Sequence, residues 1–197
     1  MYKIAFLSST GGTNFQSFID AKKLGELSEV EICCLITDKA LCGAAQKARE
    51  AGIKVYFYDT TVLSKEAFQQ SILDTLDYFA VDMVVLGGFM RILSPEIVEK
   101  YRGKIVNVHP SLLPKHAGGM NLNVHQAVLD AGETETGMTI HLVDEGVDTG
   151  KIIFQKSVAV APGDTAETLK AKVQELEKEW YPKVVEGMLR GEESFED

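Results

Sequence analysis

The side chains best suited to chemistry in this chain are an amide, an imidazole and a carboxylate near the ends of two strand-like runs. Asn107 and His109 lie at the end of the run beginning at Lys104, and Asp148 follows a second run over 136–143. Because alternate residues of a strand point to the same face, Asn107 and His109 are predicted to emerge side by side. A hydrogen-bond donor, a titratable acid and a charge partner form a set suited to acyl-group transfer.

Each of these three residues also has a purely structural interpretation. Taken alone, His109 is more readily explained as a histidine bonded to backbone beside a turn, and Asn107 as a loop cap. Asp148 fits the turn Val-Asp-Thr-Gly, a favoured position for aspartate. The coincidence of all three at strand ends, where a cleft is expected, favours the catalytic interpretation. His141 alternates within a strand and is predicted to be a packed or supporting histidine.

The segment from Ser8 to Gln16 joins the first strand-like run to the first helical pattern. Its two glycines, hydroxyls and backbone N–H groups at a helix start are typical of a phosphate-binding loop. It matches neither the dinucleotide fingerprint nor the Walker loop, so a dinucleotide or ATP is not indicated. A plain tight turn with a threonine cap explains the spacing equally well.

A second loop, from Gly87 to Pro95, surrounds one arginine with apolar side chains. The functional interpretation is a slot for a flat heteroaromatic ligand bonded by main-chain groups, and the alternative is an ordinary strand-to-helix loop that covers the core. Spacing alone favours the ordinary loop. Lys65, Gln174 and Glu177 are candidates for contact with a ligand, although solvated helix faces are the default for such residues.

Apolar runs alternate with segments of helical spacing along most of the chain, which predicts an α/β fold with a mostly parallel sheet flanked by helices. A long amphipathic helix is predicted to close the chain. The predicted strands cover residues 3–7, 30–36, 54–58, 83–86, 105–108, 136–143 and 151–160, and the predicted helices cover 14–24, 43–51, 64–79, 95–101, 124–130 and 165–189.

Composition places the chain among ordinary globular proteins. Its 197 residues suffice for one substantial core, and a net charge of −9 argues against a general partner in nucleic acid or anionic membrane. The N-terminus lacks a signal-peptide layout and no run reaches roughly 18 apolar residues, so a cytoplasmic location is predicted. The three cysteines lack metal-ligand spacing and are predicted to be reduced core thiols, with no metal site.

At these residues the chain resembles the folate-dependent formyltransferase family. The ordered set of motifs spans nearly the whole chain and is more specific than any single motif. It consists of Gly12-Thr-Asn-Phe-Gln16, Gly88-Phe-Met-Arg-Ile-Leu-Ser-Pro95, Asn107-Val-His-Pro-Ser-Leu-Leu-Pro114, Thr139-Ile-His-Leu-Val-Asp-Glu145 and Asp148-Thr-Gly150.

The resemblance implies a Rossmann-like formyltransferase fold in a single domain, residues 1–197, with a phosphate-binding half (1–108) and a folate and catalytic half (109–197). It implies 10-formyltetrahydrofolate as donor and the amine of 5-phosphoribosyl-glycinamide as acceptor, in de novo purine biosynthesis, by a monomer or homodimer without a metal. The implied site residues are Asn107, His109 and Asp148 for catalysis; Gly12, Thr13, Asn14, Gln174 and Glu177 for the acceptor; and Lys65, Met90, Arg91, Ile92, Leu93, Asn107 and Val143 for folate.

In the implied mechanism the acceptor amine attacks the formyl carbon while Asn107 and a protonated His109 stabilise the formyl oxygen. Asp148 is expected to raise the pKa of His109. The chain departs from the family pattern at Thr10, Lys65 and Lys151 and has a longer loop over 116–124. These departures touch the acceptor side more than the three catalytic residues.

Four other functions remain open at the level of the sequence. A hydrolase of the same family replaces the amine by water, but its known architecture carries an added N-terminal domain. An enzyme that formylates initiator methionyl-tRNA carries an added C-terminal domain. A third relative formylates an amino sugar nucleotide. A non-catalytic folate or phosphate binder does not need a charged acid beside an amide donor.

Overall fold

The computed structural model describes residues 1–119, 122–192 and 194–195. Residues 120 and 121 belong to the longer loop expected over 116–124, and that part of the expectation lies outside the described residues. The chain divides into two compact units, Met1–Val106 and Asn107–Asp197. The division of one domain into residues 1–108 and 109–197, with a separate role for each, stays a prediction.

The observed elements begin and end within two residues of the predicted ones. The strands are β1 Tyr2–Leu7, β2 Val30–Thr37, β3 Lys54–Phe57, β4 Met83–Leu86, β5 Ile105–His109, β6 Glu135–Leu142 and β7 Ile152–Ala159. The helices are α1 Thr13–Leu24, α2 Gly43–Glu50, α3 Lys65–Phe79, α4 Pro95–Lys100, α5 Leu122–Asp130 and α6 Ala166–Arg190.

The strands of the first unit are parallel. Strand β1 pairs with β2 on one side and with β4 on the other, and β2 pairs with β3. In the second unit β6 and β7 are antiparallel. The hydrogen-bonded order of the sheet is β3-β2-β1-β4-β5-β6-β7. The prediction of a mostly parallel sheet with flanking helices and a long C-terminal helix is confirmed.

Apolar packing buries β4 and holds β1 against α1 in the first unit. All four residues of β4 are buried, as expected for a strand with neighbours on both faces. Phe6 of β1 packs against Phe15 and Phe18 of α1, with ring centroids 5.0 and 5.2 Å away. Because α1 is packed against β1 in this way, both ends of the loop between Leu7 and Thr13 are held in place.

Hydroxyl side chains begin two helices as the sequence predicts. The Ser64 hydroxyl accepts a hydrogen bond from the Ala67 N–H at the start of α3. The Ser94 hydroxyl accepts from the Ile97 N–H at the start of α4, where Pro95 occupies the first helical turn. Each cap satisfies a backbone donor that has no partner within its helix.

Helix α6 is packed along one side in the second unit. Thr165 and Thr168 form a reciprocal capping box at its start. Trp180 stacks on Phe154 of β7, with ring centroids 4.8 Å apart. Neither α6 nor another helix in the described part of the chain has the length and apolar content needed to cross a bilayer.

His125 gives a prediction about acid stability. It lies buried in α5, its Nδ1 has no hydrogen-bond partner among the described residues, and burial first, then the charges of Lys170 and His109, lowers its pKa to about 4. A group with a lowered histidine pKa binds a proton more readily in the unfolded chain, so stability falls as the pH drops from about 6.5 to about 4. A shift of this size corresponds to about 3 kcal/mol.

We therefore expect His125→Gln, which stays neutral, to lose less stability than the wild type between pH 7 and pH 4. Chemical denaturation at a series of pH values measures the difference. Parallel stability curves for the two proteins contradict the prediction.

Candidate active site

Four polar side chains of the second unit meet at the end of β5. His109 Nδ1 lies 3.2 Å from Asp148 Oδ2, and Asn107 Nδ2 lies 3.2 Å from His141 Nε2. His141 Nε2 also lies 3.5 Å from Asp148 Oδ1. We call these four residues the histidine–aspartate cluster. The structure thus brings together the three residues that the sequence groups, as alternation along β5 and a turn after β6 predict.

His141, predicted to be a packed or supporting histidine, lies within the cluster. Its Nδ1 lies 2.9 Å from the carbonyl oxygen of Leu142, which can only accept a hydrogen bond. A ring protonated at Nδ1 alone accepts at Nε2 from the Asn107 amide, whereas a doubly protonated ring donates from Nε2 to Asp148. His141 therefore links the amide to the carboxylate, and the Thr139/His141 alternation in β6 is the signal that identifies it.

The segment that follows β5 covers the cluster with backbone groups. The His116 carbonyl oxygen lies 3.1 Å from His109 Nε2, and the Gly118 N–H donates to Asp148 Oδ2 at 2.9 Å. His116 has a left-handed backbone with φ of 58°. Backbone contacts of this kind leave no side-chain signature, so the sequence did not reveal them.

Burial decides the proton affinity of His109. Its side chain is 4% exposed, and burial lowers its pKa below the ordinary 6.5, although the Asp148 carboxylate and the His116 carbonyl both raise it. Asp148 raises this pKa as expected, but desolvation of the imidazolium outweighs that attraction, so the net pKa of His109 is lowered. Both ring nitrogens face acceptors, so only the protonated ring satisfies both contacts.

Asp148 is held as a carboxylate in a turn that few residues tolerate. Hydrogen bonding with His141 is the largest cause that lowers its pKa, and burial opposes it; the Gly118 N–H and the His109 charge lower it further. Its backbone is left-handed, with φ of 55°. Aspartate and asparagine are among the non-glycine residues that adopt this conformation most readily.

The loop that carries Asp148 is tied at both ends. Asp144 Oδ1 accepts from the Gly146 N–H at 3.0 Å and from the Thr149 hydroxyl at 2.7 Å. A Cβ at Gly150 would lie 1.7 Å from the Leu142 carbonyl oxygen, so only glycine fits where the chain returns to β7. These contacts set the position of Asp148 relative to β6.

A buried polar network supports the turn after β5. The Thr139 hydroxyl donates to the Ser111 carbonyl at 2.6 Å and accepts from the Leu113 N–H at 3.0 Å. Gln155 donates to the Leu113 carbonyl at 2.9 Å, and the peptide bond from Leu113 to Pro114 is cis. The network anchors the chain between His109 and the covering segment.

The remaining residues predicted for the second unit are not members of the histidine–aspartate cluster. Glu177 is buried and Gln174 half-buried on α6, one turn apart, and Val143 follows β6 directly. Glu177 at 5% exposure is an unusual position for a carboxylate. This burial distinguishes it from the solvated helix residue that is the default interpretation.

In the first unit the glycine-rich loop closes tightly onto the start of α2. Gly12 precedes α1 with a left-handed φ of 71°, and the Ala44 N–H donates to the Thr10 carbonyl at 3.1 Å. Thr13 and Asn14 form the first turn of α1, and Asn14 Oδ1 is buried without a partner among the described residues. The loop therefore presents N–H groups at a helix start, the arrangement that suits an anion.

A methyl group at Gly12 is expected to destabilise this loop. A Cβ there would lie 2.6 Å from Ala44 Cα, and the left-handed backbone adds strain that costs about 1–3 kcal/mol for non-glycine residues. At Gly11 a Cβ meets no atom within 4 Å, which makes Gly11→Ala a matched control. We expect Gly12→Ala to unfold at clearly lower denaturant concentration than Gly11→Ala, and equal midpoints for the two contradict the steric assignment.

The other predicted residues of the first unit lie after β4 and at the start of α3. Met90 and Ile92 are 38% and 71% exposed, whereas Leu93 is buried. Arg91 bonds through Nε to Asp38 at 2.7 Å. Lys65 begins α3 with an exposed side chain. Apolar side chains thus face solvent from the loop over 88–94, as a ligand slot requires.

Known proteins resemble this chain over nearly its whole length. Residues 2–185 match the family described as formyl transferase. A Haemophilus influenzae protein named phosphoribosylglycinamide formyltransferase is 39% identical over 100% of this chain, which covers 92% of that protein. The chain belongs to the formyl transferase family. The resemblance inferred from the motifs and the prediction of a formyltransferase are confirmed.

Two further relatives of this formyl transferase extend the comparison. The trifunctional purine biosynthetic protein adenosine-3 of Bos taurus is 40% identical over 96% of the chain, which spans 18% of that longer protein. The crystal structure of glycinamide ribonucleotide transformylase 1 from Symbiobacterium toebii superposes with a TM-score of 0.91 at 32% identity, over 97% of this chain and 89% of that one. The predicted fold is thereby confirmed against a solved structure.

Proposed function

We propose that this formyl transferase moves the formyl group of 10-formyltetrahydrofolate to the amine of 5-phosphoribosyl-glycinamide in de novo purine biosynthesis. The names of its relatives support the acceptor and the pathway. The observation that carries the chemistry is the convergence of Asn107, His109, His141 and Asp148 within 3.5 Å contacts. A binder of phosphate or folate has no need for such a cluster.

In the proposed reaction the amine nitrogen attacks the formyl carbon, and the bond from that carbon to N10 of the folate breaks. Negative charge grows on the formyl oxygen, to which Asn107 Nδ2 and His109 Nε2 donate. Preorganised donors of this kind contribute roughly 10² to 10³ in rate. The amine loses one proton as N10 gains one, so the transfer needs neither a metal nor a covalent intermediate.

Binding of the donor requires His109 Nε2 to exchange its present partner, the His116 carbonyl, for the formyl oxygen. That carbonyl now faces His109 Nε2 at 3.1 Å, the atom that donates to the formyl oxygen in this proposal. Growing charge on the formyl oxygen favours the imidazolium against the burial that lowers the pKa of His109. The formyl oxygen therefore replaces the His116 carbonyl as the partner of Nε2.

Binding roles follow the predicted residues. Gly12, Thr13 and Asn14 offer N–H groups to the acceptor phosphate, and Glu177 with Gln174 serves the acceptor ribose and amine side. Folate is assigned to the residues Lys65, Met90, Arg91, Ile92, Leu93, Asn107 and Val143. We propose that the enzyme acts in the cytoplasm on small molecules only, as a monomer or homodimer.

One assay separates this proposal from its rivals. The protein is incubated with 10-formyltetrahydrofolate and, in parallel, with 5-phosphoribosyl-glycinamide, an amino sugar nucleotide or no amine, while tetrahydrofolate release is followed. Release only with 5-phosphoribosyl-glycinamide supports the proposal. Tetrahydrofolate release without an amine indicates a hydrolase, and release with the amino sugar nucleotide indicates that this compound is the acceptor. If no incubation releases tetrahydrofolate, formyl transfer is contradicted.

A further inference from the structure

An ion pair in the first unit joins Arg91, one of the residues assigned to folate, to Asp38, which has no role in the reaction just described. Asp38 follows β2 with a fully buried side chain, and its Oδ2 accepts from Arg91 Nε at 2.7 Å. Its second carboxylate oxygen, Oδ1, is buried with no hydrogen-bond partner among the described residues. A buried ion pair is weak evidence for stabilisation, since desolvation offsets much of the attraction. The pair is better explained by what it holds in place.

Asp38 acts on the loop over 88–94 through its ion pair with Arg91. Through Arg91 it holds the middle of the loop, and the guanidinium also donates to the Thr60 hydroxyl at 3.0 Å. Beside Gly88, the Ser9 hydroxyl accepts from the Met90 N–H at 3.2 Å, which is a separate contact with the same loop. Burial opposes the charge of Asp38, but the nearby Ser9 side chain and the Arg91 guanidinium together lower its pKa.

Gln69 of α3 holds the far end of the same loop. Its amide nitrogen donates to the Ile92 carbonyl at 2.9 Å, and its amide oxygen accepts from the Ser94 N–H at 2.8 Å. At the near end the Ser9 N–H donates to the Gly88 carbonyl at 2.9 Å. Hydrogen bonds therefore hold the loop backbone at both ends and the ion pair holds its middle, while Met90 and Ile92 are exposed to solvent.

A loop with a fixed backbone and exposed apolar side chains is preorganised to receive a flat ligand, because little entropy is lost on binding. We propose that Asp38 is a positioning residue that fixes the loop over 88–94 for the formyl donor without touching that donor. Arg91 serves as the anchor of this loop, because Asp38 and Thr60 occupy two of its nitrogens. This inference rests on the proposed function, which assigns residues 90–93 to folate.

Two variants test whether the Asp38–Arg91 ion pair positions the loop, one for each member of the pair. Asp38→Asn keeps the shape of the side chain and removes its charge, and Arg91→Ala removes the anchor. We expect each to raise the KM for 10-formyltetrahydrofolate about tenfold, with kcat and the acceptor KM changed less than about twofold, since a loosened loop weakens only donor binding. The matched control is Asp77→Asn, which alters another ion-paired carboxylate of the unit, 2.6 Å from Lys100.

The double variant Asp38→Asn/Arg91→Ala guards against simple unfolding, because it leaves no unpaired buried charge. If Asp38 and Arg91 act as one unit, the donor KM of the double variant matches that of Arg91→Ala alone. Equal increases in donor and acceptor KM, or a donor KM that stays at the wild-type value in the double variant, overturn the positioning role.

Calorimetric binding of tetrahydrofolate separates this inference from the proposed function. If the wild type binds tetrahydrofolate but transfers no formyl group, the proposed function fails, while weaker binding by Asp38→Asn still supports the positioning role. If the wild type transfers the formyl group and all variants bind tetrahydrofolate equally, the positioning role fails alone. Absence of binding by the wild type overturns both.

Discussion

His109→Ala is expected to lower kcat by about 10² to 10⁴, the range for loss of an acid that also stabilises an oxyanion. Nδ1 of this residue faces Asp148, and its Nε2 faces the His116 carbonyl, the partner that the formyl oxygen replaces in the proposed reaction. The KM for the donor should change little, because the ring contributes to the transition state more than to ground-state binding. Steady-state kinetics with purified protein measures both quantities.

The control for this experiment is a second buried histidine of the same unit. His125→Gln removes an imidazole that is 2% exposed and outside the histidine–aspartate cluster, and we expect its turnover to stay near the wild-type value. Circular dichroism and thermal melting are used to test whether both variants fold. Near-normal kcat in folded His109→Ala refutes the catalytic assignment.

Asp148→Asn is expected to produce the second large loss, also about 10² to 10⁴ in kcat. Asparagine tolerates the left-handed backbone at φ 55° and still accepts from the Gly118 N–H, so this change removes the charge and keeps the turn. Alanine is a poorer test, because it adds backbone strain to the loss of the carboxylate.

The loss of the Asp148 charge also has a defined effect on pH dependence. The carboxylate raises the pKa of His109, against the larger effect of burial, so its removal moves that pKa further down. The limb of the kcat profile that belongs to His109 should therefore shift to lower pH in Asp148→Asn. The double variant with His109→Ala should be little worse than His109→Ala alone, since the two residues act as a unit.

Asp144→Asn is the matched control within the same loop. Its carboxylate bonds only to Gly146 and Thr149 among the contacts described above, and asparagine can accept both bonds. We expect its kcat and pH profile to follow the wild type. An unchanged pH profile and kcat in Asp148→Asn would show that the carboxylate has no role in transfer.

The elements of this chain were predictable because each carries a local signal. Runs such as Met83–Leu86 are apolar throughout, and helices begin at Ser64 and Ser94 with capping hydroxyls, so their positions depend on near neighbours in sequence. The grouping of Asn107 with His109 follows from the two-residue period of β5. Its extension to Asp148 needed only the expectation that strand ends meet.

The protonation of the cluster could not be predicted in the same way. The expectation for His109 counted the charge of Asp148 and omitted burial, which is a property of the packed side chain and has no local signature. The contacts from the His116 carbonyl and the Gly118 N–H were equally hidden, because every residue has these backbone groups. Asp38 was missed because its partner, Arg91, comes from a loop that lies far from it in the sequence.

By itself the sequence determined the family, the order of strands and helices, and which amide, imidazole and carboxylate take part in the cluster. Those features depend on residue type, on period and on short motifs. Only the tertiary structure decided how strongly His109 holds its proton, that His141 joins the amide to the carboxylate, and that a buried carboxylate pins the loop over 88–94. Desolvation and contacts between distant segments exist only once the chain has packed.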